Sequence, residues 1–324
     1  MAGTFCPVTS RLAEFAIVAE AAYSTFQTPF TAAGGVVQIS HRGVTWGRNH
    51  APIDGSSAHG TTQNIITDRT IRGVDAPAVD VTLPLRDDSI DLVMEILLGG
   101  TKAAGTWPIS DSRDPYSIGI HDTIQFWQFA GCLINTASIT MAIGAVTEVQ
   151  MGFLATSLVS AAPGAFPALT PSHANRPYVL TDCTLTEATT AGGVAAGTAI
   201  PFRGATISIA RNVIVDQANS VEPNCLTPST FDVTGTIDLW WSSELNTELG
   251  AIIADDAGGG YSIHYLQFRM VEGARILNLV LPVRLDIANF VAPVGDGPVT
   301  APINFFAAGD DGTPTTATIL ATDS

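Results

Sequence analysis

A chain of 324 residues that is 46% hydrophobic can bury one large core or two of ordinary size. Its 30 Asp and Glu face only 14 Lys and Arg, a formal net charge of -16, and the arginines are scattered from Arg11 to Arg284, so the clustered cations that grip phosphates are missing. No run reaches the ~18 apolar residues of a membrane helix, and Met1-Ala2-Gly3-Thr4 opens on polar sequence without a signal-peptide pattern, so a soluble, unanchored protein is expected.

Along the chain, Glu14 to Ala22 is alanine-rich, yet Phe15, Ile17 and Tyr23 alternate, and an extended arm is the preferred reading over a helix. Asn49 to Thr67 reads as a long loop. Val79, Val81, Leu83 and Leu85 then alternate with polar residues at the two-residue period of a half-buried strand. Ile90, Val93, Met94 and Leu97 follow at helical spacing, with Asp87 placed to cap the start and Gly99-Gly100 to stop the helix. Tyr116-Ser117-Ile118 opens a long hairpin that goes out through Ile118, Ile120, Ile124 and Phe126 and turns near Gly131. It returns through Leu133, Ala137, Ile139, Met141 and Ile143, and Val149, Met151 and Phe153 form a last strand.

The second half runs through the same order, the signature of an internal repeat. Ile237, Leu239 and Trp241 alternate; Leu245, Leu249, Ile252 and Ile253 make a short helix; Gly258-Gly259-Gly260 ends it. Tyr261-Ser262-Ile263 opens a second hairpin through Tyr265, Phe268 and Met270, whose change of parity calls for a bulge. That hairpin turns near Gly273 and returns through Leu277 to Ile287, and Ala301, Ile303 and Phe305 close the unit. The fold class expected is mainly β: two tandem sandwich or barrel domains, each with long hairpins and one short flanking α-helix. Residues 1–157 form the first unit, the Pro, Gly and Ala-rich stretch 158–177 a linker, and 178–324 the second; Thr184 to Gly204 reads as a long loop.

Sites that carry chemistry do not assemble from the pattern, so no catalytic, cofactor-binding or metal-binding residue is expected. Gly99-Gly100-Thr101-Lys102 lacks the spacing of a phosphate loop, and Gly55-Ser56-Ser57-Ala58-His59-Gly60 lacks the order of a nucleophile elbow. His41, His50, His59, His121, His173 and His264 are well separated, and Asp255-Asp256 and Asp310-Asp311 do not follow a calcium loop. Cys6, Cys132, Cys183 and Cys225 read as buried or free thiols. Adjacent Trp240 and Trp241 face opposite ways, which suggests an interface.

The order of pieces resembles the phage tail tube proteins, in a doubled form. The resemblance rests on Arg72-Gly73, Ile96-Leu97-Leu98-Gly99-Gly100, Tyr116-Ser117-Ile118, Phe129-Ala130-Gly131-Cys132-Leu133-Ile134-Asn135 and Gly144-Ala145-Val146-Thr147. In the second half it rests on Ile207-Ser208-Ile209-Ala210-Arg211-Asn212, Val233-Thr234-Gly235 and Leu281-Pro282-Val283. It implies a virion protein of the tail, assembled in the host cytoplasm, whose hairpins pair with neighbours around a lumen through which DNA passes without specific binding. The partners implied are the chain itself, in stacked rings, and tape-measure, tail-tip and tail-terminator proteins. With six domains to a ring, a doubled chain needs three copies. Thr136, Ser138 and Thr140, or Asn278, Arg284 and Asp286, are candidates for the lumen wall. A capsid decoration protein, a tail-tip ring and a β-rich surface adhesin are the alternative readings.

Overall fold

The structure is a computed structural model, and it describes residues 13–50, 53–54, 70–71, 75–107, 109, 114–169, 175–216, 222–240, 263–272, 275–286, 300–307 and 320–323. The first half supplies β1 (Glu14–Ala19), β2 (Val37–Ile39), β3 (Gly43–His50), β4 (Ile53–Asp54), β5 (Thr70–Ile71), β6 (Asp75–Pro84), helix α1 (Ile90–Leu98), β7 (Thr106–Trp107), β8 (Tyr116–His121), β9 (Phe126–Ala142), β10 (Glu148–Leu154) and β11 (Ser157–Ala161). The second supplies β12 (Cys183–Ala188), β13 (Thr198–Ile200), β14 (Phe202–Ala210), β15 (Ile214–Asp216), β16 (Cys225–Thr227), β17 (Asp232–Trp240), β18 (His264–Glu272), β19 (Arg275–Asp286), β20 (Thr300–Ala307) and β21 (Leu320–Asp323). The protein is mainly β, as its alternation requires, and antiparallel pairing links 17 strands into one network.

That network reads strand by strand. In the first half β2 pairs with β1, β1 with β8, β8 with β9, β9 with β10, β10 with β6 and β6 with β3. In the second β13 pairs with β12, β12 with β18, β18 with β19, β19 with β20, β20 with β17 and β17 with β14. β11 lies along the start of β9, and β21 along the start of β19. The halves are sewn together where β9 meets β14, from Thr136 opposite Ala210 to Ala142 opposite Gly204.

One apolar core draws on both halves, from Phe15, Phe129 and Phe153 to Phe268 and Phe305, with Trp107 and Tyr178 fully enclosed. Helix α1 is too short to be stable alone. It is held by burial of Ile90, Val93, Met94, Ile96, Leu97 and Leu98, on the order of 10 kcal/mol of transfer free energy as an upper bound. Gly99, in the left-handed region at φ 80°, ends it by donating its N–H to the Glu95 carbonyl at 2.8 Å.

Several local expectations change. The first hairpin turns at Asp122 to Gln125 rather than near Gly131, because the Asp122 carboxylate accepts the N–H groups of Ile124 and Gln125 and the indole N–H of Trp127. β9 runs on through Gly131 (φ 61°), which bends the strand from one layer into the next. A Cβ there would lie 2.3 Å from Thr156 Oγ1. Ile143, expected on the returning strand, lies in the following turn and is exposed. β18 needs no bulge, since it pairs with β19 in unbroken register. Its parity changes because both faces are covered: Phe268 points to the main core, while Tyr265 packs with Val194 and Val280.

Asp87 does not cap α1; the N-cap is Ser89, and Asp87 instead pairs with Arg275 Nε at 2.8 Å, tying the two halves. Thr184 to Gly204 is not a loop but β12, a 3-10 turn at residues 191–196, β13 and the start of β14. Gly192 and Gly193 belong to that turn, while Leu185 and Glu187 point inward. Glu14 to Ala19 is extended, as the alternation of Phe15 and Ile17 suggested, and the stretch read as a linker begins with β11. The expected second helix, its glycine stop and most of the loop from Asn49 to Thr67 lie outside the described residues.

The bend in β9 is braced by Glu20, whose Oε1 accepts the N–H of Gly131 at 2.7 Å and the hydroxyl of Ser117 at 2.9 Å. Burial raises this carboxyl above its ordinary value, against those hydrogen bonds. A group whose folded pKa is raised adds stability as pH falls through that pKa. Acidification from neutral pH toward the ordinary carboxylate range is therefore expected to stabilise the wild-type chain relative to Glu20→Gln, as read by paired denaturant melts.

Candidate functional site: an unbroken polar sheet face

The strands β3, β6, β10, β9, β14, β17 and β20 lie side by side in that order. Because residues directly opposite in a ladder share a face, their registers can be read across the sheet. Thr45, Asp80, Gly152, Thr136, Ala210 and Asp232 form one row. Thr82, Gln150, Ser138, Ser208, Thr234 and Phe306 form the next, and Pro84, Glu148, Thr140, Thr206, Thr236 and Asn304 a third. The other face holds Val81, Met151, Ala137, Ile207, Val233 and Phe305, all buried.

This settles which face of the returning strands meets water. Thr136 and Thr140 are exposed and Ser138 half-buried. Arg284 and Asp286 join the same face, opposite Phe306 and Asn304. Asn278, on the same side of β19, is held between Gln267 and Thr322. The face is paved with short polar side chains and the acids Asp80, Glu148, Asp232, Asp238 and Asp286, with Arg42 hydrogen-bonded to Glu148 at its margin. Gly152 leaves room for Thr136 and Asp80 to lean together over it, since a Cβ there would lie 2.8 Å from Thr136 Oγ1 and 2.9 Å from Asp80 Oδ1. At one end Trp240 is partly exposed with the Arg203 guanidinium 5.0 Å from its ring centre; Trp241 lies outside the described residues.

Beneath the junction of the two halves, Met94, Leu97 and Leu98 of α1 line a small apolar gap with Ile139, Ile207, Ile209, Val233, Leu279 and Leu281. Arg211 completes the seam. Its N–H donates to the Asn135 carbonyl at 2.8 Å, while its buried guanidinium donates through Nη2 to the Leu97 carbonyl at 3.1 Å and stacks on Phe231 at 5.0 Å. A cation at the carboxyl end of a helix satisfies open carbonyls and opposes the negative pole of the helix dipole. Asn135 adds Oδ1 as acceptor for the Val213 N–H at 2.9 Å. Nothing in the sequence reading singled out Arg211 as a brace, though it stood inside one of the motifs that carried the resemblance.

Other residues weighed for chemistry have structural partners. His121 bonds Glu14 at 2.8 Å across β8 and β1, and His264 bonds Glu187 at 2.7 Å across β18 and β12. His41 lies against the Ala13 carbonyl. Lys102, after the α1 stop, donates to Asp91 at 2.9 Å and sits over Trp107. Cys132 and Cys183 are buried free thiols, burial pushing Cys183 up to about 12, and Cys225 is half-buried. Residues 55–60, Asp255-Asp256, Asp310-Asp311, Cys6, His59 and His173 lie outside the described residues. No helix among the described residues is long and apolar enough to cross a membrane.

The fold is that of a mainly β protein organised around a continuous sheet with one dry and one wet face. The chain belongs to the phage tail tube protein family, whose model matches residues 10–307. It is thus a structural tail tube protein of the virion. No curated protein matches the chain.

Proposed function

We propose that three copies of this chain close into a ring of six tube units and that the rings stack into the tail tube, with the polar sheet face as lumen wall and DNA passing along it into the host. Within this reading residues 1–157 and 178–324 are the duplicated units and 158–177 joins them. Tape-measure, tail-tip and tail-terminator proteins are the expected neighbours of the tube. The observation that carries the reading is the pairing order from β2 to β3, which recurs strand for strand from β13 to β14. A chain holding two such units reaches pseudo-sixfold symmetry with three copies.

The dimensions agree. If each unit contributes four adjacent strands, as β3, β6, β10 and β9 do, the ring has about 24 strands at a spacing of ~4.8 Å. Tilted by ~40°, they enclose a barrel roughly 48 Å across between backbones, wide enough for a DNA duplex once side chains are allowed for. A wall of Thr and Ser on which the carboxylates Asp80, Glu148, Asp232, Asp238 and Asp286 outnumber the cations Arg284 and Arg42 offers phosphates no cluster of cations to grip and repels them at short range.

Electron microscopy of the concentrated protein, with mass measurement of isolated rings, tests the assembly; hollow rings of three chains are expected, and six chains per ring would remove the doubled-unit stoichiometry. For the wall, Asp80→Lys with Asp232→Lys is expected to slow DNA ejection in a salt-dependent manner. Ejection at the wild-type rate would count against an electrostatic role for this face.

A further inference from the structure

The two halves share one short string at the start of matching strands, Arg42-Gly43-Val44-Thr45 leading into β3 and Arg203-Gly204-Ala205-Thr206 in β14. Register makes the positions equivalent: Gly43 faces Thr82 and Val44 faces Val81, as Gly204 faces Asp238 and Ala205 faces Ile237. Both arginines reach the polar face at the same end of the sheet. Arg42 does so from just before its strand, by bonding Glu148. Arg203 does so from a bulge, where the ladder to β17 shifts between Phe202 and Gly204. There Phe202 packs edge-on against the core ring of Phe268, and the Arg203 guanidinium lies 5.0 Å from the ring centre of Trp240.

The two charges are handled differently. Glu148, which faces Pro84 across the β6–β10 ladder, neutralises Arg42. The counterpart of Pro84 is Trp240, and the residue facing it on β20 is Thr300, which carries no charge. Among the described residues no carboxylate lies within ion-pair distance of Arg203. Its Nε is buried without a hydrogen-bond partner. A tryptophan face steadies a guanidinium without cancelling its charge, and leaves the N–H fork able to bind an oxyanion.

Building on the reading of this face as the lumen wall, we infer that Arg203, steadied by Trp240, is a phosphodiester-binding site at which the wall touches the backbone of passing DNA. Because its twin Arg42 is neutralised, each chain offers one such contact, and a ring of three chains offers three around the duplex. Isolated cations of this kind bind phosphates weakly, with strong salt dependence and without regard to base sequence. They hold the duplex off the surrounding carboxylates without arresting it.

The test uses assembled tubes of the full chain and a dye-labelled DNA duplex of about one helical turn, with the duplex that sediments with the tubes as readout. Wild-type tubes are expected to hold it at ~50 mM salt and release it by ~200 mM. Arg203→Gln should lower retention roughly tenfold and flatten the salt dependence. Glu148→Gln strips the carboxylate from Arg42 and should raise retention by on the order of tenfold, well above the rise from Asp80→Asn, which removes the same charge two rows along the wall. Equal retention by wild-type and Arg203→Gln tubes, or equal gains from Glu148→Gln and Asp80→Asn, overturns the site. So does a glutamate-rich peptide that the tubes retain in place of the duplex, which would assign Arg203 to an acidic protein. If Arg203→Gln forms no tubes, the comparison of Glu148→Gln with Asp80→Asn decides. Wild-type tubes that retain no duplex remove this site alone, whereas a wild-type chain that forms no tubes removes the lumen reading with it.

Discussion

Gly235→Val is expected to cost about 3 kcal/mol or more in unfolding free energy, measured by denaturant melts. Gly235 lies in the middle of β17, opposite Phe305 on β20 and Ile207 on β14. A Cβ there would stand 2.2 Å from Phe305 Cζ and 2.4 Å from the Thr206 carbonyl oxygen. The first obstacle is a fully buried ring that fills the core between the layers; the second is backbone and cannot swing aside. Gly235→Ala meets both at smaller volume and should fall between wild type and valine. Phe305→Leu should relieve only the ring's share, so the double variant Gly235→Ala with Phe305→Leu is expected to show coupling of about 1 kcal/mol in a mutant cycle.

Arg211→Met is expected to destabilise the chain by about 2–3 kcal/mol, because hydrogen bonds from charged donors carry more than neutral ones and the C-terminal turn of α1 would lose its cap. Methionine retains much of the packing against Phe231, which separates the loss of the cap from the loss of volume. Lysine keeps the charge but not the planar fork that both stacks on Phe231 and reaches the Leu97 carbonyl, so Arg211→Lys should recover only part of the stability. Since α1 lies under β9, β14, β17 and β19, its loosening should appear as accelerated amide exchange along β14 before the strands of β1 and β8 respond.

The strands that were legible in the sequence are those with one dry face. β6 and the later part of β9 alternate because Val79, Val81 and Leu83, and Ala137, Ile139 and Met141, point to the core while their neighbours meet water. β18 was misread because Leu266 and Phe268 bury on one face of its layer and Tyr265 on the other, which erases the period. Gly131 marks a bend as readily as a turn, and only the carboxylate of Asp122, acting on its own neighbours, says where the chain reverses. The glycines of residues 192–197 masked two short strands for the same reason. The polar face was half legible: Thr136, Ser138 and Thr140 were named, but their pairing with Thr206 and Ser208 joins segments far apart in the chain and leaves no local trace. The same holds for Arg211, whose partner at Leu97 belongs to the other half.

The pairing of β9 with β14 also has a kinetic consequence. A long hairpin strand with an open edge is a hazard while the protein waits to assemble, since any other copy can add to it in any register. Here one such edge is occupied as the chain folds, by a segment tethered to it at an effective concentration in the millimolar range. In the six-unit ring proposed above, folding would already have closed half the seams, leaving only the other half to form by collision between chains.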